Sequence, residues 1–98
     1  MRSGTTKTAK RYRIRGRVQG VGFRYFAERA AHAAGILGHV RNCADGTVEV
    51  YAIGDASALE VFKHRLAQGP PGAWVQAVEE SEMPVNQGCK EFSIKGGW

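Results

Sequence analysis

The sequence predicts an α+β fold, a β-α-β-β-α-β sandwich with two helices on one face of an antiparallel sheet and a short extra strand at the C-terminal end. Three observations carry this expectation: a period-two strand over residues 11–18 leads through a glycine loop into a period-3.6 helix. An Asp-Gly hairpin signal then joins two apolar runs, and a second amphipathic helix stops at Gly69-Pro70-Pro71 before further strand-like sequence. This order is the split βαβ, or ferredoxin-like, arrangement.

In the first strand Tyr12, Ile14 and Val18 alternate with Arg11, Arg13, Arg15 and Arg17, so one face is apolar and the other cationic. The loop Gln19-Gly20-Val21-Gly22-Phe23 follows. From there Phe23, Phe26, Ala27, Ala30, Ala31 and Ala34 recur at helical spacing, and Gly35 is a natural stop. Residues 37–42 and 47–53 read as strands around Cys43-Ala44-Asp45-Gly46. Ser57-Ala58-Leu59-Glu60 resembles a capping box opening the second helix, with Leu59, Phe62 and Leu66 as its stripe. Residues 73–82 form a fourth strand, with Val75 and Ala77 expected on one face, and residues 90–95 a last one carrying Phe92 and Ile94.

The chain of 98 residues suits one domain, expected over residues 10–98 behind a disordered basic tail over residues 1–9. No apolar run reaches the ~20 residues of a membrane span, and the N-terminus lacks a signal-peptide core. No membrane partner and a cytoplasmic location are therefore expected, with a monomer as the default for this size. Cys43 and Cys89 form no C-x-x-C and read as two separate thiols, while His32, His39 and His64 never pair on one helical face. No metal is expected. The net charge of +5 favours an anionic partner without choosing among nucleic acid, membrane surface and phosphorylated small molecule.

The chemistry-bearing segment is Gly16-Arg17-Val18-Gln19-Gly20-Val21-Gly22-Phe23-Arg24. The first N–H groups of a helix lack internal partners, and the helix dipole adds partial positive charge there. Glycines let the backbone curl so that those N–H groups converge on an anion. Arg24 at the helix start is a cation at the unfavourable end of the dipole, a placement that a bound anion would explain. The stretch is not a Walker A loop, since no Lys-Ser/Thr follows, nor a dinucleotide fingerprint, since Tyr25 stands where the last glycine belongs. By itself a glycine loop before a helix is as readily a tight turn without a ligand. Asn42 alone reads best as a residue satisfying the hairpin backbone.

The two segments together resemble the acylphosphatases. The first family signature, an aliphatic residue, any residue, then G-x-V-Q-G-V-x-[FM]-R, is met by Ile14 through Arg24. The second is met by Gly38-His39-Val40-Arg41-Asn42, three residues, Gly46-Thr47-Val48, and Gly54, with His39 standing where the family carries an aromatic ring. The resemblance implies hydrolysis of the carboxyl–phosphate anhydride of acyl phosphates. It implies that Arg24 binds phosphate, that Gln19, Gly20, Val21, Gly22 and Phe23 supply the backbone cradle, that Asn42 positions the attacking water, and that no cofactor takes part. Acylphosphatase-like domains within larger carbamoyl-transfer proteins form a second implied context, and the short chain favours a free-standing enzyme over it. The rival reading is a nucleic-acid-binding module using the arginine stripe and an open sheet face, for which Tyr51 is the one candidate stacking ring and no set of such rings is recognisable.

Overall fold

The computed structural model describes residues 7–96. Most of the expected tail, and Trp98, lie outside them. The elements are β1 (Thr8–Arg17), α1 (Phe23–Ala34), β2 (Leu37–Asn42), β3 (Val48–Gly54), α2 (Ala56–Gln68), β4 (Trp74–Met83) and β5 (Phe92–Ile94). The sheet runs β4-β1-β3-β2-β5. β1 starts earlier than its alternation suggests: Thr8 and Ala9, read as tail, pair with Gly54 and Ile53, and Ala9 is buried.

Tyr12, Ile14 and Val18 do face the core. They meet Ala27, Ala30 and Ala31 of α1, whose small side chains let the helix lie close to the sheet, and Leu59, Phe62 and Leu66 of α2. Phe62 joins the layers, with its ring edge-on to Tyr12 at 6.3 Å and to Phe92 at 5.9 Å.

Four expectations need correction. The sheet is mixed, because β5 lies parallel to β2 at the edge opposite β4. The chain between β4 and β5 must therefore cross from one edge to the other, and Tyr51 anchors it: its hydroxyl donates to the Pro84 carbonyl at 2.7 Å and accepts from the Asn86 N–H at 2.9 Å. Second, α2 is capped by Asp55, not Ser57; the Asp55 carboxylate accepts the Ala58 N–H at 2.8 Å and the Ser57 hydroxyl at 3.0 Å. These bonds hold the Asp55 carboxyl below its ordinary pKa. Third, Val75 and Ala77 point to opposite faces. Gly16 pairs with Val75 and Arg15 with Ala77, so Gln76 is an extra residue and the alternation shifts. Val75 and Val78 pack on the core instead. Gly16 is what the bulge requires, since a Cβ there would collide with the Trp74 carbonyl oxygen.

The fourth concerns the arginine stripe, in which Arg11, Arg13 and Arg15 are engaged by carboxylates while Arg17 forms no ion pair among the described residues. Glu49, buried on the non-helical face, receives Arg41 at 2.7 Å, Arg11 at 3.6 Å and Arg13 at 3.8 Å. Arg15 pairs with Glu79 at 2.9 Å and Arg13 with Asp45 at 3.3 Å. The edge strand β4 also carries Glu80 and Glu82, both paired with Lys10. Tyr51, the candidate stacking ring, lies against His39, ring centroids 5.5 Å apart.

Candidate active site

The turn from β1 into α1 folds as its glycines dictate. Gly20 has φ 76° and Gly22, the N-cap of α1, φ 78°, left-handed conformations that L side chains resist. A Cβ at either would touch nothing within 4 Å, so the requirement is conformational and the space in front of the loop is open. No side chain caps α1 and no acidic residue stands in its first turn. The first intrahelical bond is Phe26 N–H to the Gly22 carbonyl at 3.0 Å, which leaves the earlier first-turn N–H groups without helical acceptors.

Those groups border a cleft of about 330 Å³ lined by Gly20, Gly22, Phe23, Arg24 and Asn42, together with Val18, Tyr25, Ile94, Lys95 and Gly96. No carboxylate is among them. Arg24 is held by a hydrogen bond from its Nη1 to the Lys95 carbonyl at 3.2 Å, and Lys95 is fixed in turn by its N–H to the Val40 carbonyl at 2.8 Å. Asn42 ends β2, and among the described residues its side-chain amide makes no hydrogen bond, which leaves it available to the cleft.

The structure thus brings Gly20, Gly22, Phe23, Arg24 and Asn42 to one cleft. Phe23 sends its ring into the core and offers backbone only. Val21 also packs against the core, and its side chain does not line the cleft. Gln19 is turned away. Its Nε2 donates to the Cys43 carbonyl at 2.8 Å and the Thr47 carbonyl at 2.9 Å, clamping the β2–β3 turn. That turn is reinforced by Asp45, whose Oδ1 accepts the Thr47 hydroxyl at 2.6 Å and N–H at 3.0 Å. The Thr47 hydroxyl foremost, then its N–H, holds the Asp45 carboxyl below the ordinary value.

Tyr25, Ile94 and Lys95 were not legible as site residues. Ile94 and Lys95 arrive through the parallel pairing of β5 with β2, which no local pattern announces. Cys43 and Cys89 are free thiols, and among the described residues no three of His, Cys, Asp or Glu converge as a metal site would require. No helix among the described residues is long and apolar enough to cross a membrane.

His39 sits beside this assembly on the non-helical face. Its Nδ1 is buried with no hydrogen-bond partner among the described residues. Burial foremost, then the charges of Lys95 and Arg41 against the opposing Glu49, pushes its pKa below the ordinary histidine value.

A family model described as acylphosphatase matches residues 10–94. The chain is 53% identical over 81 residues to a Thermus thermophilus protein named acylphosphatase, covering 83% of this chain and 91% of that one. Its fold matches the crystal structure of acylphosphatase from Bacillus subtilis with a TM-score of 0.87 at 36% identity, covering 93% of this chain and all of the other. It also matches full-length HypF, solved in a phosphate- and nucleotide-bound form, with a TM-score of 0.85 at 26% identity over 97% of this chain but 12% of that one. The same fold thus also occurs as a small part of a much longer protein.

Proposed function

The chain belongs to the acylphosphatase family and is an acylphosphatase, and from that premise we propose how its residues divide the work. The phosphoryl oxygens of an acyl phosphate sit against the N–H groups of the Gln19–Phe23 loop and the guanidinium of Arg24. The carbonyl oxygen of the Asn42 side chain accepts a hydrogen bond from the attacking water and so turns the water's lone pair toward phosphorus. As the water oxygen bonds to phosphorus, the bond from phosphorus to the acyl oxygen breaks and the acyl group departs as a carboxylate. A phosphoryl oxygen takes the proton that the water loses, giving inorganic phosphate.

The leaving group has a conjugate acid of pKa near ~4 and departs without a proton donor. Asn is too weak a base to deprotonate water, so its contribution is position. The demands on the protein are therefore neutralisation of phosphoryl charge and orientation of water. The observation that supports this reading best is the cleft itself: an uncapped helix start, Arg24 and the Asn42 amide face one space that, among the described residues, no carboxylate lines. All the groups the reaction needs lie on one chain, which suits a cytoplasmic monomer working on a small-molecule acyl phosphate without cofactor, membrane or nucleic acid.

Hydrolysis of benzoyl phosphate in the presence of EDTA, with Arg24→Ala and Asn42→Ala alongside, tests the assignment. Turnover by the wild type that is insensitive to chelator and lost in both variants supports it. Equal turnover by wild type and variants overturns the residue roles.

A further inference from the structure

A second groove, of about 350 Å³, opens beside the phosphate cleft and shares Gly22 and Tyr25 with it. Tyr25, Phe26, Pro70 and Pro71 supply its apolar side; its charged residues are Arg29 of α1 and Arg65 of α2, and among the described residues no carboxylate lines it. Arg29 follows Tyr25 by four residues and so lies over the same helix face, its guanidinium carbon 6.0 Å from the ring centroid. Arg65 reaches from α2 to within 5.4 Å of the Phe26 centroid. The two differ from most of the arginines across the molecule: Arg11, Arg13, Arg15 and Arg41 pair with carboxylates, whereas Arg29 and Arg65, like Arg17, form no ion pair among the described residues. Two guanidiniums without ion pairs among the described residues, one over the exposed Tyr25 ring and one over the half-buried Phe26 ring, border the proposed phosphate cradle and form a site for an anion carried on an apolar body.

We propose that this groove holds the acyl half of the substrate, and that Arg29 and Arg65 select acyl groups bearing a second negative charge. The inference rests on the reading of the neighbouring cleft as the phosphoryl site. It supplies what the phosphate cradle lacks, since loop amides and Arg24 read the phosphoryl group alone. The spacing is set by the helix: Arg29 is five residues beyond Arg24, about 7.5 Å along the axis at ~1.5 Å per residue. The second charge therefore belongs at the far end of the acyl group. A carboxylate there can meet a guanidinium through two parallel hydrogen bonds.

The test compares kcat/KM for benzoyl phosphate and 4-carboxybenzoyl phosphate, which differ by one distal carboxylate. The selectivity ratio, charged over uncharged, is measured for the wild type, Arg29→Gln, Arg65→Gln, the double variant and Arg15→Gln. The ratio cancels any general loss of folded or active protein. Arg15→Gln removes one positive charge from the far side of the sheet and so reports the field of the whole molecule. The expected ratio is about tenfold in the wild type, falling toward one in the double variant and held in Arg15→Gln; 0.5 M salt, whose Debye length is only about 4 Å, should compress it. A wild-type ratio at or below one overturns the proposal, as does a ratio that survives in the double variant or falls equally in Arg15→Gln. Failure to hydrolyse either substrate overturns the phosphoryl-site reading, and this one with it.

Discussion

The side-chain amide of Gln19 donates to the carbonyl of Cys43, the residue directly after Asn42, at 2.8 Å. The glycine loop and the strand end that carries Asn42 are thus joined by one side chain, which bonds the Thr47 carbonyl as well. On the proposed assignment the Gln19 side chain acts through Asn42, while its backbone N–H stays part of the loop. Gln19→Ala removes both donors and should lower stability by about 1–3 kcal/mol, read as a lower Tm. The more telling readout is kinetic: kcat should fall with KM little changed, because the loop still binds phosphate while Asn42 loses its register. Gln19→Glu, nearly isosteric but without the donor, should fall as far as Ala. A variant in which KM alone rises would instead place the Gln19 side chain in substrate binding.

Arg24 and Asn42 should separate in their effects. Arg24→Ala should lose ~10²–10³ in kcat/KM, typical of one transition-state donor, and inorganic phosphate should inhibit it more weakly than it inhibits wild type. Asn42→Ala should lose turnover while phosphate still protects the folded protein against heat. Loss of phosphate protection in the Asn42 variant together with a retained rate would reverse the two roles.

Gly22 and Gly16 are both irreplaceable, for different reasons. Gly22→Ala meets no steric neighbour and bears only the left-handed penalty of roughly 1–2 kcal/mol; it should fold, with its loop displaced and activity down at least tenfold. Gly16→Ala drives a Cβ into the Trp74 carbonyl and should unfold the β1–β4 bulge, with a lower yield and a Tm loss exceeding that of Gly22→Ala. Thermal melts of the two variants side by side decide this, and a Gly22 variant less stable than the Gly16 one would contradict it.

His39 predicts a pH effect on stability. Its folded pKa lies below the unfolded value of 6.5, so the unfolded chain binds the proton more tightly. The stability that neutral His39 contributes is complete above about pH 6.5 and is lost as pH falls from there through the folded pKa. Between pH 7.5 and 5.5 the wild-type Tm should therefore drop more steeply than that of His39→Phe, which keeps a ring against Tyr51 without a titrating group. Parallel slopes would remove His39 from the account.

The single carboxylate of Glu49 is shared by three arginines. Glu49→Gln leaves Arg11, Arg13 and Arg41 facing one another, and should destabilise by about 2 kcal/mol, below the full penalty for a buried pair because the arginines are partly exposed. The same variant should gain salt-sensitive affinity for single-stranded oligonucleotide that the wild type lacks, measured by fluorescence anisotropy at low salt. Tight binding by the wild type itself would return the cationic face to consideration as an interface.

Much of the fold was legible because its signals are local. The Asp-Gly hairpin, the alanine-rich face of α1 and its stop at Gly35 each lie within one element, and Leu37–Asn42 was bounded correctly. Errors arose where a local pattern had a competitor or where distance decided. Ser57 and Glu60 have the spacing of a capping box, yet Asp55, two residues upstream, already supplies the acceptor for Ala58. The bulge at Gln76 depends on Gly16 in another strand, and the parallel β5 on a crossing that Tyr51 secures. In the site, Arg24 and Asn42 could be singled out because two family motifs contain them, while the clamp made by the Gln19 side chain could not, because its partners lie 24 and 28 residues away. Arg29 and Arg65 belong to no motif, and only the packing of α1 on α2 reveals that they share a groove.

The edges of the sheet bear on how the protein behaves in a crowded solution. β4 is a ten-residue edge strand, paired with β1 on one side only, and its outward N–H and C=O groups form a template on which a second copy could add a strand and begin to aggregate. Its outer half carries Glu79, Glu80 and Glu82, so two copies meeting there antiparallel would bring glutamates against glutamates. The opposite edge, β5, ends after three residues, too short to seed a ladder. The carboxylates that steady β1 from within thus also keep neighbouring molecules apart, and replacing them with neutral side chains should leave a folded enzyme that precipitates at concentrations the wild type tolerates.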